Sequence, residues 1–173
     1  MRRIAVAGVV CAAVAVSGCG TDTVEGTAQG SVDGPAFSPC DDIPDGVVAG
    51  LGLDPASEER DIDGTAMPGW QVCNWQSAAH DVAVFVTPYT VADVRAKEGN
   101  VEIESIDVAG RSGISYREAA DRDRERCALA FPSESGSVLV TAGFYGAERP
   151  ASTQQPCLIA GEAARAILPS VPK

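Results

Sequence analysis

Four cysteines, Cys40, Cys73, Cys127 and Cys157, set the tightest limit on how this chain of 173 residues can fold. Of the six cysteines present, Cys11 and Cys19 lie in an N-terminal stretch with the character of an export signal. That leaves an even number for the rest of the chain. An even count in an exported protein points to disulfides, and four cysteines allow three pairings. None of the four stands two residues from another, so they lack the Cys-x-x-Cys of a zinc site or redox pair. His80 is the one histidine. A mixed Cys/His metal centre therefore has little to draw on, and no cofactor is expected.

Local structure favours Cys40–Cys73 and Cys127–Cys157 among the three pairings. Ser38-Pro39-Cys40-Asp41 has the pattern of a helix start, with Ser as cap, Pro in the first turn and a carboxylate three residues on. Pro156-Cys157 again places Pro at a helical pattern, whereas Cys73 and Cys127 fall in apolar, strand-like segments. Each bridge would staple the first turn of a helix to a strand. Closing loops of about 30 residues contributes roughly 3–4 kcal/mol each by chain entropy.

Met1-Arg2-Arg3 followed by the uncharged run Ile4–Val16 is too short for a membrane span, which needs about 20 apolar residues, and suits an export signal. Its end, Val16-Ser17-Gly18-Cys19, resembles the lipobox of bacterial lipoprotein precursors. That resemblance implies cleavage before Cys19 and a thioether-linked diacylglycerol on its sulfur; the alternative is plain secretion with Cys19 free. Two or more acyl chains hold a protein at a membrane where one allows exchange. Residues 1–18 thus read as a lipoprotein signal peptide. Residues 19–37, with Gly20, Gly26, Gly30 and Gly34 and no Lys or Arg, read as a lipidated flexible tether.

Residues 38–173 read as a single α+β domain. Ile43, Val47, Val48 and Leu51 share a helical stripe divided from a first turn by Pro44. Residues 54–69, acidic and broken by Pro55, Gly64, Pro68 and Gly69, read as a long loop. Their acids Glu58, Glu59, Asp61 and Asp63 lack the spacing of a calcium loop and suit a solvated surface. Period-two patterns give strands at Trp70–Trp75 and Val82–Thr87, joined by Ser77-Ala78-Ala79-His80. Cys73 and Trp75 share a strand face, so an indole beside a disulfide is expected in the core. Thr90–Lys97 reads as a short helix. Val101 and Ile103 are out of phase with Ile106 and Val108, which places a bulge or break between the two pairs. Gly110-Arg111-Ser112-Gly113 reads as a turn into a strand bearing Ile114 and Tyr116. The run Asp121–Arg126 reads as a solvated turn; a ligand clamp of Arg122, Arg124 and Arg126 is the sharper reading. Strands at Cys127–Phe131 and Val138–Phe144 follow, and Ile159, Ala163, Ala166 and Ile167 make a final helix stripe. Mostly local strand neighbours imply an antiparallel sheet packed with N- and C-terminal helices and held by two disulfides. With aromatics at 5%, the core is built on Ala, Val and Ile and is thin enough to need the staples.

The Ser38-Pro39-Cys40 start, Cys73-Asn74-Trp75, Cys127 and the closing Pro156-Cys157 helix ending in Ile167-Leu168-Pro169 have an order that resembles a family. It is that of the actinobacterial exported lipoproteins grouped as domain of unknown function 3558. The resemblance spans roughly residues 38–169. It implies the cysteine roles above and a core position for Trp75, and suggests a sheet-and-helix sandwich akin to the photosystem oxygen-evolving-accessory and nuclear-transport-factor-like folds. It brings no established activity, ligand or catalytic residue.

The net charge of −11 becomes more negative once Arg2 and Arg3 leave with the signal. That argues against nucleic acid and against a basic membrane-binding patch. His80, in a turn, is expected to be exposed, and Asp81 beside it would point to the opposite strand face, so the two make no catalytic pair. No Gly-x-Ser-x-Gly elbow is present. The expected function is a non-catalytic binding or accessory module of the cell envelope. It would sit on the extracytoplasmic face of the cell membrane, lipid-anchored through Cys19, and meet an envelope protein, glycan or lipid partner. Alternatives are a carrier of a small lipid or amphiphile in a sheet–helix cavity, and a hydrolase using paired carboxylates.

Overall fold

The computed structural model describes residues 37–62, 64–145 and 151–173. The signal peptide, Cys11, Cys19 and all but the last residue of the tether lie outside them. Pro39–Asp42 forms α1 and Asp45–Gly50 forms α2, separated as expected at Pro44. Ser38 occupies the N-cap position, but its hydroxyl accepts no helix N–H; instead Asp42 accepts from the Ser38 N–H at 2.7 Å. Ile43 and Val48 are buried and Val47 and Leu51 half-buried, so the expected stripe faces the core.

Seven strands follow in one sheet: β1 Asp54–Arg60, β2 Gln71–Gln76, β3 His80–Thr87, β4 Asn100–Val108, β5 Arg111–Glu118, β6 Arg126–Ser133 and β7 Gly136–Phe144. Their order is β1-β2-β3-β7-β6-β5-β4, antiparallel throughout. Two meanders, β1-β2-β3 and β4 to β7, are thus joined along β3 and β7, which pair from His80↔Phe144 to Thr87↔Ser137. Between the meanders stands α3, Val91–Ala96, opened by a complete Thr90/Asp93 capping box. The C-terminal helix α4, Gln155–Ile167, passes into a 3-10 turn at Leu168–Ser170. The fold is the expected α+β arrangement, and both disulfides, Cys40–Cys73 and Cys127–Cys157, are formed with Cα separations of 5.3 and 5.0 Å.

Four local expectations are corrected. Residues 54–60 are an edge strand rather than loop. Its pairing to β2 shifts register between Asp54 and Glu59. Exposed acids and Pro55 gave it no apolar alternation, yet an edge strand tolerates both charge and proline. The β4–β5 turn is Ala109-Gly110, both at positive φ (54° and 74°), and Arg111, Ser112 and Gly113 belong to β5. Two left-handed residues are what a two-residue hairpin needs to match strand twist. The β4 bulge falls between Val101 and Glu104, around Glu102 at φ 53°, not between Ile103 and Ile106. Ile103 and Ile106 differ in phase because the strand contributes to both sheet faces: Ile103 joins the apolar cluster under α3, Ile106 the larger one under α4. On α4 the buried residues are Ala160, Ala163, Ala164 and Ile167, with Ile159 and Ala166 at the margin.

The larger cluster occupies one sheet face. Cys73, Trp75, Val82, Val84, Phe131, Val138 and Val140 project there against α1, α2 and α4. Trp75 and Cys73 share this core as expected, both essentially inaccessible. The alanines of α4 let its backbone approach the sheet closely. Two arginines lock this face. Arg117, 5% exposed, donates to the Arg126 and Thr153 carbonyls and to Cys157 Sγ at 3.3 Å. Arg111 clamps the C-terminal tail through the Pro132, Val171 and Pro172 carbonyls at 2.6, 2.9 and 3.1 Å. At the other end Arg60 holds α1 to β1 through both oxygens of Asp41, at 2.8 and 3.0 Å. These bonds and one from Ser38 bring the Asp41 carboxyl down to about 2.

Gly113 faces Phe131 across the β5–β6 pair, and a Cβ there would collide with the Ala130 carbonyl and the Phe131 ring. Gly113→Ala should therefore destabilise the fold by about 1–3 kcal/mol, the range of core overpacking. Urea denaturation with an unchanged m-value checks it.

Candidate functional site

The opposite sheet face is only partly covered. Alternation sends Asn74 of β2, Asp81, Ala83 and Phe85 of β3, Leu139 and Thr141 of β7, and Ala128 of β6 to this side. The short α3 covers one part, where Val94 packs on Ile114, Tyr116, Ala130 and Leu139. Over β2 and β3, residues 61–62 and 64–70 rise as a second wall. Trp70 sets its ring edge-on to Phe85 at 6.3 Å and beside Tyr89 at 6.0 Å. Between the walls runs an open groove. One stretch, about 350 Å³, has an apolar lining of Ile62, Met67, Trp70, Phe85, Tyr116, Ala128 and Leu139, joined by Thr141 and by the charged Lys97, Arg117, Glu118, Asp121 and Arg126. An adjoining stretch of about 340 Å³, sharing Ile62, Phe85 and Arg126, is lined by Glu59, Asp61, Asn74, Gln76, Asp81 and Tyr145. The groove thus has an apolar end and a polar end, with Phe85 common to both. Ile62, Met67 and Tyr89 are among the few large apolar side chains left exposed.

The polar end turns on Asp81, Gly143 and Arg126. In register, Asp81 lies across from Gly143 on one side of β7, and Arg126 across from it on the other. Their side chains meet over the glycine, Arg126 Nη1 to Asp81 Oδ2 at 3.6 Å. A Cβ at 143 would stand 2.9 Å from both the guanidinium and Asp81 Oδ1. Glycine at the centre of a strand marks such a close approach. Asp81 is 7% exposed, and its Oδ1 has no hydrogen-bond partner among the described residues. Burial is the largest influence on its carboxyl and raises its pKa against the opposing pull of Arg126. Asn74 Oδ1 is likewise buried and unpartnered. The Tyr116 phenol is pushed up by burial and stays neutral.

Other residues singled out by sequence serve elsewhere. His80 is half-buried rather than exposed: its ring packs 5.9 Å from Phe144 and its Nδ1 lies 3.1 Å from Ser77 Oγ in the β2–β3 turn. Asp81 does face away from it, as alternation requires. The three arginines of the charge run divide. Arg122 is exposed, Arg124 pairs with Glu102 at the bulge, and Arg126 reaches the groove. Asp121 shapes that turn by accepting from the Glu125 and Arg126 N–H groups at 3.0 and 2.9 Å. In the acidic segment Glu58 and Glu59 are exposed, Asp61 half-buried, and Asp63 lies outside the described residues. A Glu58 oxygen and the sulfurs of Cys40 and Cys73 lie within 4.8 Å of one another. Those sulfurs are joined in a disulfide and offer no thiolate to a metal. Sequence reasoning noticed Asp81 only as the neighbour of His80. The missed signal was its phase, since Asp81 alternates with Ala83 and Phe85 on an apolar face.

The chain belongs to the family described as "Protein of unknown function (DUF3558)", which matches residues 14–170. No curated protein and no solved structure matches it. Among the described residues no helix is long and apolar enough to cross a membrane. The two disulfides fit an oxidising, extracytoplasmic compartment.

The raised Asp81 pKa fixes a sign. A carboxyl that holds its proton more tightly when folded destabilises the fold as pH rises from the ordinary value of 3.8 through its folded value. Asp81→Asn should abolish that loss, so the variant gains on the wild type as pH rises above 3.8, in urea midpoints taken across the range. A gap that widens in the opposite direction would contradict the burial of this charge.

Proposed function

We propose that this chain is a lipid-anchored envelope protein whose domain binds a ligand in the open groove and carries out no chemistry on it. The signal pattern ending in Val16-Ser17-Gly18-Cys19 supports lipid attachment at Cys19 and processing there. Residues 20–37 then serve as a tether that holds the folded part off the extracytoplasmic face of the membrane.

The observation that carries the binding role is the contrast between the two sheet faces. The helix-covered face is packed, with Trp75, Phe131, Val84, Val138 and Val140 at or below 1% exposure. The other face keeps an apolar floor open to solvent between two walls. A volume of a few hundred Å³ with an apolar lining and a few placed polar groups is the composition of a small-ligand site. This favours a groove on the open face over a carrier cavity enclosed between sheet and helices. His80 is engaged with Ser77 and Phe144, which fits a role in the turn and not as a general base.

Two experiments test this reading. Cys19→Ala should move the protein from the membrane fraction to the aqueous phase after cell lysis and phase separation; retention after signal removal would sink the lipid anchor. The mature chain, residues 19–173 with Cys19→Ser, should raise the fluorescence of the neutral apolar dye N-phenyl-1-naphthylamine with one-to-one stoichiometry. Thr141→Trp, which fills the groove from its floor, should weaken that binding by about tenfold or more with the urea midpoint little changed. Equal dye binding by both proteins would sink the groove as the site.

A further inference from the structure

The groove's polar end has a chemical preference of its own. Three carboxylates, Glu59, Asp61 and Asp81, line it against one base, Arg126. Asp81 is the one that matters, because it is more than nine-tenths buried and keeps an oxygen without a hydrogen-bond partner. A buried acceptor left unmade is costly. Its single charge partner fits poorly: Arg126 stands 3.6 Å away, beyond the 2.7–3.2 Å of a good N–H···O bond, on a side chain more than half exposed. Two positions along β2 from the residue paired with Asp81, Asn74 presents a second buried, unpartnered acceptor oxygen on the same face. The strand between Asp81 and Arg126 contributes Gly143, and the Asp81 carboxylate and the Arg126 guanidinium meet in the space a side chain there would take. A compact cation with several N–H donors, in place of the poorly seated guanidinium, would satisfy these acceptors.

We propose that this end of the groove is a subsite for the protonated primary amine of a small amphiphile. Asp81 and Asn74 accept its N–H bonds, and the Phe85–Leu139 floor seats its apolar part. The inference rests on the groove being a ligand site and adds the class of ligand. On binding, the ammonium takes the place of Arg126 at Asp81, and the exposed guanidinium swings to solvent. The geometry suits an ammonium better than a carboxylate, which would meet one exposed arginine and three acids. It also suits an ammonium better than a quaternary amine, which has no N–H to offer Asp81.

The test uses the mature chain with Cys19→Ser, and hexylamine, hexanol and hexanoate as probes at neutral pH. Binding is read from the indole N–H signal of Trp70, at the groove wall, against that of Trp75 in the packed core. Hexylamine should shift Trp70 and leave Trp75 in place, binding about tenfold more tightly than hexanol, the scale of one charge-assisted contact. Asp81→Asn should erase that preference. Arg126→Gln should tighten hexylamine roughly two- to fivefold by removing its competitor. If hexanol matches hexylamine, or hexanoate binds best, or Arg126→Gln weakens the amine, the ammonium subsite is wrong while the groove remains a ligand site. If none of the three probes moves Trp70, the groove reading fails and the subsite with it.

Discussion

Helix is scarce in this fold, and the two disulfides decide where it goes. A seven-stranded sheet has two faces to cover, and the described chain provides three very short helices and one of 13 residues. Cys73 and Cys127 project from the same side of the sheet, so both bridges draw helix to that side: α1 through Cys40, α4 through Cys157. Once α1 and α4 are pinned there, α3 is the helix that remains for the other face among the described residues, and its six residues cannot span it. The open groove is thus a consequence of covalent placement. Extra sheet length or a second long helix would have closed it.

Electrostatics reinforces this asymmetry. On the covered face, Arg117 and Arg111 spend their donors on main-chain carbonyls and bind α4 and the C-terminal tail to the sheet. Hydrogen bonds from a charged donor are stronger than neutral ones, so they tie these segments to the sheet. Glu102, in a left-handed conformation at the β4 bulge, is flanked by Arg117 and Arg124, which gives that conformation two charged partners. On the open face the pair Asp81 with Arg126 is long and half-solvated, and Lys97 with Glu118 is exposed on both sides. The covered face is held by charged donors on main-chain carbonyls, whereas the open one keeps the buried acceptor oxygens of Asp81 and Asn74 without a partner among the described residues.

Much of the fold could be read from residues because the relevant signals are local. Pro44 splits the first helix, Thr90 and Asp93 close a capping box, and Cys73 alternates with Trp75 into the core. The parts that resisted reading depend on distant partners. β1 is a strand only because β2 lies beside it; alone, Asp54–Arg60 is a charged, proline-bearing segment with no apolar period. The position of the β4 bulge reflects Arg117 and Arg124, which the chain supplies later. The site was hidden for the same reason. Gly143, Asp81 and Arg126 come from three strands and are neighbours only when β7 inserts between β3 and β6. The one local hint was an aspartate in phase with an apolar strand face.

The choice of side chains on the open face separates a groove from a merely incomplete core. An uncovered sheet face of Val, Ile and Phe would be a flat apolar patch, prone to association. Here Ala83, Ala128, Thr141 and Gly143, all small, share the face with the larger Phe85 and Leu139, and Trp70 stands above them at the wall. Small residues beside large ones give the floor depth at little cost in exposed apolar area. The same economy on α4, where Ala160, Ala163 and Ala164 face the sheet, has the opposite effect because a helix fills the space they leave. With so few aromatics in the chain, Trp70, Phe85 and Tyr89 gather three rings at one small region of the open face, while Tyr116 is buried in the cluster under α3.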